Sequence, residues 1–250
     1  MKKILLIATL LYSFTSHAQM FINKAVVEYE VKVNIKKTMG TDSWSERLKE
    51  TMPQFKTGYY HLTFSDNKSI YKHHHWDEKL KMPEFLKRGE EENSWYADYS
   101  TNTLNMQKSI FGSTFSVEDK LPKIEWRLTN ENRIIAGFNC RKAVGKIMDS
   151  VYVFAFYTEE ILLPGGPCTL NGLPGLILGV TIPRLYASWI ATKVQLNDVV
   201  VSDIKPVPAK KPFTLKSFEG TLVERTKEWG DAEDPNSKKW MEQLYWNALL

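Results

Sequence analysis

The chain has 250 residues, 43% of them hydrophobic, with eight tryptophans and a formal net charge of +4 at pH 7. That length and apolar content can bury a proper core in one large domain. Without Lys2 and Lys3 at the N-terminus the balance is +2, nearly neutral, which argues against nucleic acid or an anionic membrane surface as the main partner.

Residues 1–18 read as a cleavable export signal. Lys2 and Lys3 make a positive start, residues 4–12 are apolar, and Ser16-His17-Ala18 is a small-x-small site before Gln19. The apolar run is too short to span a bilayer, and no cysteine near the cleavage site offers a lipid anchor. Cleavage removes Lys2 and Lys3, so the charge falls from +4 to +2. The expectation is an exported protein, in the periplasm or at an outer-membrane surface, with no transmembrane segment after cleavage. In an oxidising compartment Cys140 and Cys168 are either a disulfide or two unrelated thiols, and the sequence leaves both readings open.

Residues 25–35 put Val27, Tyr29, Val31, Val33 and Ile35 on one face and predict a half-buried strand. Ser43-x-x-Glu46 is a capping box for a short helix that stops at Pro53. Strands at 57–64 and 68–74 flank Asp66-Asn67, a hairpin signal. Residues 76–93 are highly charged and read as an exposed insertion, helical in part at 83–87. A second hairpin, 94–99 and 103–108, turns at Thr101-Asn102. Further strands are predicted at 112–118, 123–128, 133–138, 140–145, 151–157, 176–182, 187–196 and 198–202. A rigid Pro/Lys-rich connector at 205–212 precedes helical periodicity over 214–229 and 235–249. The fold class is mainly β: a strongly curved antiparallel sheet or open, bowl-like barrel, with a short N-terminal helix and a C-terminal helical pair. The expected divisions are the signal at 1–18, the β domain at 19–204, and the connector and helices at 205–250.

Gly172-Leu173-Pro174-Gly175-Leu176-Ile177 contains no nucleophile, acid, base or metal ligand. Pro174 fixes its own φ and Gly175 tolerates φ > 0, so residues 173–176 fit a type II turn. The apolar run that follows reads as a buried strand stopped at Pro183. The preceding loop crowds Pro164, Gly165, Gly166 and Pro167 ahead of the motif. It is either a recognition loop at the sheet rim or an architectural crossover. Leu170, Leu173, Leu176 and Ile177 want burial, which favours the crossover.

Catalytic chemistry has little support. There is no Gly-x-Ser-x-Gly, phosphate loop or dinucleotide fingerprint. Glu159 and Glu160 would face opposite sides of a strand. His73-His74-His75 is the one histidine cluster. On a regular strand His73 and His75 share a face, which makes them the weak candidates for metal ligands. No catalytic residue and no cofactor is assigned.

The hexapeptide resembles the motif for which the GLPGLI family of exported bacterial proteins is named, and the resemblance covers most of the mature chain. Residues 137–143, Gly-Phe-Asn-Cys-Arg-Lys-Ala, are similar to its Cys-x-Lys-Ala strand, and residues 155–161 to its Trp-Tyr-Thr-x-x-Ile-Pro segment. Gly166-Pro167 and Asn171 precede the motif as in the family, and residues 60–64 and 69–71 resemble its early hairpin. Phe156 stands where the family often has Trp, Leu162 where it often has Pro, and Cys168 where it usually has a bulky residue. The resemblance implies no catalytic residues. It implies a protein often encoded beside outer-membrane TonB-dependent transporters, similar to the bowl-like N-terminal domain of certain peptide N-glycosidases. The expected function is therefore that of a non-catalytic envelope protein binding a ligand or protein partner, with an outer-membrane transporter among the partners to consider. Two alternatives remain: a glycan- or peptide-processing hydrolase, and a lipid carrier of the curved-sheet type.

Overall fold

The computed structural model describes residues 22–40, 43–79, 83–110, 112–148, 150–196, 204–227 and 235–250. The export segment and the strand expected at 198–202 lie outside the described residues. Among the described residues eleven strands make one antiparallel sheet: β1 (Lys24–Val33), β2 (Lys56–Ser65), β3 (Lys68–Trp76), β4 (Ser94–Asp98), β5 (Thr103–Ile110), β6 (Ser113–Lys120), β7 (Arg127–Ile135), β8 (Phe138–Ile147), β9 (Val151–Thr158), β10 (Leu176–Ile182) and β11 (Ala187–Leu196). Helices α1 (Ile35–Thr38), α2 (Ser43–Thr51) and α3 (Glu84–Lys87) interrupt the first half, and α4 (Leu215–Thr226) and α5 (Pro235–Leu249) follow the sheet. No described helix is long and apolar enough to cross a membrane.

The strand order is β6-β5-β4-β3-β2-β1-β11-β10-β9-β8-β7. Two meanders run outward from a central β1–β11 pair, so the two edge strands, β6 and β7, are consecutive in the chain. A flat sheet of eleven strands would hold its edges about 48 Å apart. The seven steps from Lys120 to Arg127 reach at most about 25 Å. The sheet therefore curls into an open bowl. The link, residues 121–126, is irregular rather than the predicted strand at 123–128, and β7 runs unbroken to Ile135. The strand expected at 133–138 is cut by a tight turn at Ala136 (φ +49°) and Gly137 (φ +86°), a two-residue hairpin of the I′ kind. Asp66 (φ +50°) and Asn67 (φ +62°) make the same turn between β2 and β3, as predicted. At the end of β1, Asn34 accepts a hydrogen bond from the Lys37 N–H at 3.3 Å and starts α1, so Ile35 leaves the strand.

β10 is the centre of the core: Leu176, Ile177, Leu178, Val180 and Ile182 are all buried. A strand covered on both faces reads as a continuous apolar run, which is why its bounds match the sequence reading. The corner feeding it is not the expected type II turn. The Gly175 N–H bonds the Leu173 carbonyl at 2.8 Å, the Leu176 N–H turns to Ile161 O at 3.0 Å, and the Ile177 N–H turns to Gly165 O at 3.0 Å. Gly175 has φ +154°, and a Cβ there would lie 2.0 Å from the Thr158 carbonyl oxygen. The corner is glycine because the backbone of β9 occupies the space a side chain needs. Just beyond it, Leu178 is an extra residue in the β9–β10 ladder, and the buried Tyr29 hydroxyl of β1 donates to Ile177 O at 2.5 Å.

The inner face of the bowl is filled from within. Much of the loop at 162–175 packs there, with Leu163, Leu170 and Leu173 buried, while Leu162, Gly172 and Pro174 stay exposed. Gly165 packs so closely on Tyr99 that a Cβ would sit 1.9 Å from the phenol oxygen. The leucines are buried as expected, but the loop is not a crossover: it joins β9 and β10, which are neighbours in the sheet. α5 crosses the same face, where Trp95 Nε1 donates to Leu250 O at 2.8 Å and Lys108 Nζ to Asn247 O at 3.3 Å. These donors satisfy backbone oxygens at the C-terminal end of α5, which its own helical ladder leaves free. α4 rests on β6 through Phe218 and Phe115, with ring centroids 5.3 Å apart, and meets α5 where Thr226 Oγ1 lies 2.6 Å from the Tyr245 hydroxyl.

Gly175→Ala is expected to destabilise the chain by about 2 kcal/mol or more, because both the backbone angle and the space forbid a methyl group. Gly172→Ala, at φ +88° with no atom within 3.4 Å of the new carbon, is expected to lose only about 1 kcal/mol. Urea unfolding of the two variants checks the ranking; equal losses would contradict it.

Candidate functional site

Among the described residues, a cavity of about 550 Å³ opens at one end of the bowl. Four segments supply its apolar wall: Pro122 and Ile124 from the link, Ile147 and Met148 at the end of β8, Leu215 from α4 and Leu249 from α5. Lys123, Glu125, Lys146, Lys216 and Glu219 stand around it, all exposed, and Thr169 comes from the inner loop. The volume is within the usual range for small-molecule sites, about 300–1,000 Å³.

Local bonds hold these walls in place. Asn171 Nδ2 donates to Pro122 O at 3.1 Å and to Thr169 O at 2.8 Å, and Trp126 Nε1 donates to Asn171 O at 2.8 Å. The link is thereby fastened to the inner loop. On the other side, Phe213 pairs with β6 through two backbone bonds of 2.8 Å, and the Leu215 N–H donates to Asp119 Oδ2 at 2.9 Å. Thr214 and Ser217 form a reciprocal cap on α4. No cavity residue was singled out from the sequence, because the wall joins segments far apart in the chain. A trace of it existed in the apolar Ile124 and Leu215, placed beside lysines.

A second set of polar groups lies deeper on the inner face of β2–β5. Glu90 pairs with Lys56 and accepts from the Tyr60 hydroxyl at 2.7 Å. The charged insertion is thus not simply exposed: Glu90 reaches inward, and Asn93 is buried with its Oδ1 accepting the Ser109 N–H at 2.7 Å. Burial pushes the Glu90 carboxyl up, but Lys56 and the Tyr60 hydroxyl outweigh it and hold the group below its ordinary range. Lys108 is 7% exposed and lies 4.7 Å over the Trp95 ring, and burial pushes its amine down.

The cysteines are both free. Cys140 is buried in β8, and burial raises its thiol to about 11; Cys168, on the inner loop, is raised to about 12. Of the two readings the sequence left open, the structure has unrelated thiols, and burial keeps both protonated rather than nucleophilic.

The histidines are rearranged by a bulge. The β2–β3 register shifts between Tyr59 and Tyr60, which oppose His75 and His73. His73 therefore lies on the inner face, against Tyr60 (5.1 Å) and Trp76 (4.4 Å). His75 stacks on Tyr59 at 4.5 Å and His74 on His61 at 3.9 Å, on the outer face. His73 and His75, expected on one side, are on opposite sides, because an extra residue reverses the alternation. Among the described residues no group of three or more His, Cys, Asp or Glu side chains is arranged to hold a metal ion. Glu159 and Glu160 do not converge either: Glu159 accepts from the Tyr157 hydroxyl at 3.1 Å and Glu160 from the Asn139 N–H at 3.0 Å.

No family model and no curated protein sequence matches the chain. Among solved structures it is similar to PNGF-II in its C2 crystal form (TM-score 0.47, 17% identity, covering 72% of this chain and 28% of that one). It is similar also to the P21 form (TM-score 0.48, 16% identity, 75% and 32% covered). An uncharacterized conserved protein from Thermus thermophilus aligns over 83% of this chain and 98% of its own, with 8% identity and a TM-score of 0.36. The chain spans 28–32% of the length of the PNGF-II chains.

The histidines make stability depend on pH. Burial lowers the pKa of His61 and of His73, with the neighbouring His74 adding to the effect at His61. The unfolded chain then binds more protons than the folded one just below about pH 6.5. Their contribution is complete above that value and is lost as pH falls through the window beneath it. Below about pH 4.3 the protonation of Glu90 adds a second loss. Urea midpoints are expected to drop between about pH 7.5 and pH 5.5, and to drop less in a His61→Gln, His73→Phe variant. A midpoint that rises on acidification would contradict the assignment.

Proposed function

We propose that the protein is a non-catalytic binding protein of the bacterial envelope, exported by residues 1–18, that takes a small molecule with an apolar body into the cavity at the end of the bowl. The observation that carries this reading is the cavity itself: about 550 Å³, apolar within and charged around it. Among the described residues, the protein's own loop and α5 cover part of the inner face, and this opening offers space for a ligand beside them. We read the chain as a member of the GLPGLI family on the residues given above, and a role as accessory to an outer-membrane transporter accords with that reading.

A hydrolytic reading has one observation in its favour, the presence of Glu125 and Glu219 around the same cavity. Both are exposed, and neither is fixed by a hydrogen bond among the described residues. A catalytic acid needs burial or a close partner to tune it. Binding without turnover is the better-supported function.

Titration with the neutral dye N-phenyl-1-naphthylamine tests the proposal. Saturable fluorescence enhancement is expected, and Met148→Trp or Leu215→Trp, which fill the cavity, should weaken binding by about tenfold or more. Absence of saturable binding, or variants indistinguishable from the parent, would overturn it.

A further inference from the structure

We infer that the cavity's ligand is a singly anionic amphiphile of the long-chain carboxylate class. This rests on the reading of the cavity as a binding site and adds the sign of the ligand's charge. Three lysines reach the cavity from three separate segments: Lys123 from the link, Lys146 from the end of β8 and Lys216 from the first turn of α4. Among the described residues, two carboxylates, Glu125 and Glu219, accompany them, which leaves one positive charge in excess there.

All five side chains are exposed, and none makes an ion pair or a side-chain hydrogen bond among the described residues. The lysines are thus not consumed by internal pairing, unlike Lys56 or Lys142, which bond Glu90 and Glu131. The start of α4 is already met by Asp119, so the lysines rather than the helix end supply the excess charge. Unpaired charges around a concave, low-dielectric wall focus their field on the opening. A ligand that lays its chain on Ile124, Met148 and Leu249 leaves its head group among these amines, where water still reaches and no charge has to be fully desolvated.

Competition against the neutral dye, using dodecanoate, dodecanol and dodecyltrimethylammonium, reads the charge directly. Dodecanoate is expected to compete about tenfold better than dodecanol, the combined effect of several exposed pairs that each contribute little. The alkylammonium should compete worst, and the preference should shrink with added salt. Lys123→Gln, Lys146→Gln and Lys216→Gln together should erase it, whereas Glu125→Gln with Glu219→Gln should widen it. These side chains are exposed and unpaired, so the variants keep the fold, which the neutral dye verifies. Equal competition by acid and alcohol, or a preference for the cation, would overturn the charge assignment while leaving the binding site in place. Failure of all three to displace bound dye would also overturn it. Failure of the dye to bind at all would remove the binding site and the charge assignment together.

Discussion

The contact between the bare Cα of Gly175 and the Thr158 carbonyl is the constraint on which the rest of this structure depends. It lets β10 start against the end of β9 with no side chain between them. The amides of Leu176 and Ile177 are then free to bond Ile161 and Gly165 rather than continue a simple hairpin. Those two bonds turn the β9–β10 loop inward. Tyr29 locks the arrangement by donating to Ile177 O from β1. The hexapeptide is thus a device for placing a loop inside a bowl, and it needs no chemistry of its own to do so.

Filling the bowl from within has a further consequence. A curved sheet with edge strands joined by residues 121–126 has one large concave face, and an empty face of that size would expose much apolar surface to water. Here the inner loop and α5 cover part of it. Lys108 and Trp95 satisfy carbonyls at the end of α5, which makes the burial of those polar groups tolerable. The cavity remains where the link, the β8–β9 hairpin and the two C-terminal helices meet without filling the space between them.

Much of this was legible in the sequence, for physical reasons that differ by element. The bounds of β10, β11 and α5 coincide with the predicted ones because Pro183, a continuous apolar run and a helical period each leave a local mark. The Asp66-Asn67 turn was legible because both residues tolerate φ > 0. The bulge at His74 was not, since nothing local distinguishes an inserted residue from an ordinary one. The type II turn was wrong because the conformation at Gly175 is dictated by Thr158, a residue distant in the chain. The inward reach of Glu90 was hidden by the charged stretch around it. The cavity was the least visible feature: its residues share no periodicity and meet only when the sheet curls.

The most direct test of the binding cavity is a crystal structure of the chain with N-phenyl-1-naphthylamine bound. The dye is expected in contact with Ile124, Met148, Leu215 and Leu249, with the inner loop and α5 still seated on the sheet. Dye on the outer face or along a sheet edge, with the cavity residues untouched, would contradict it.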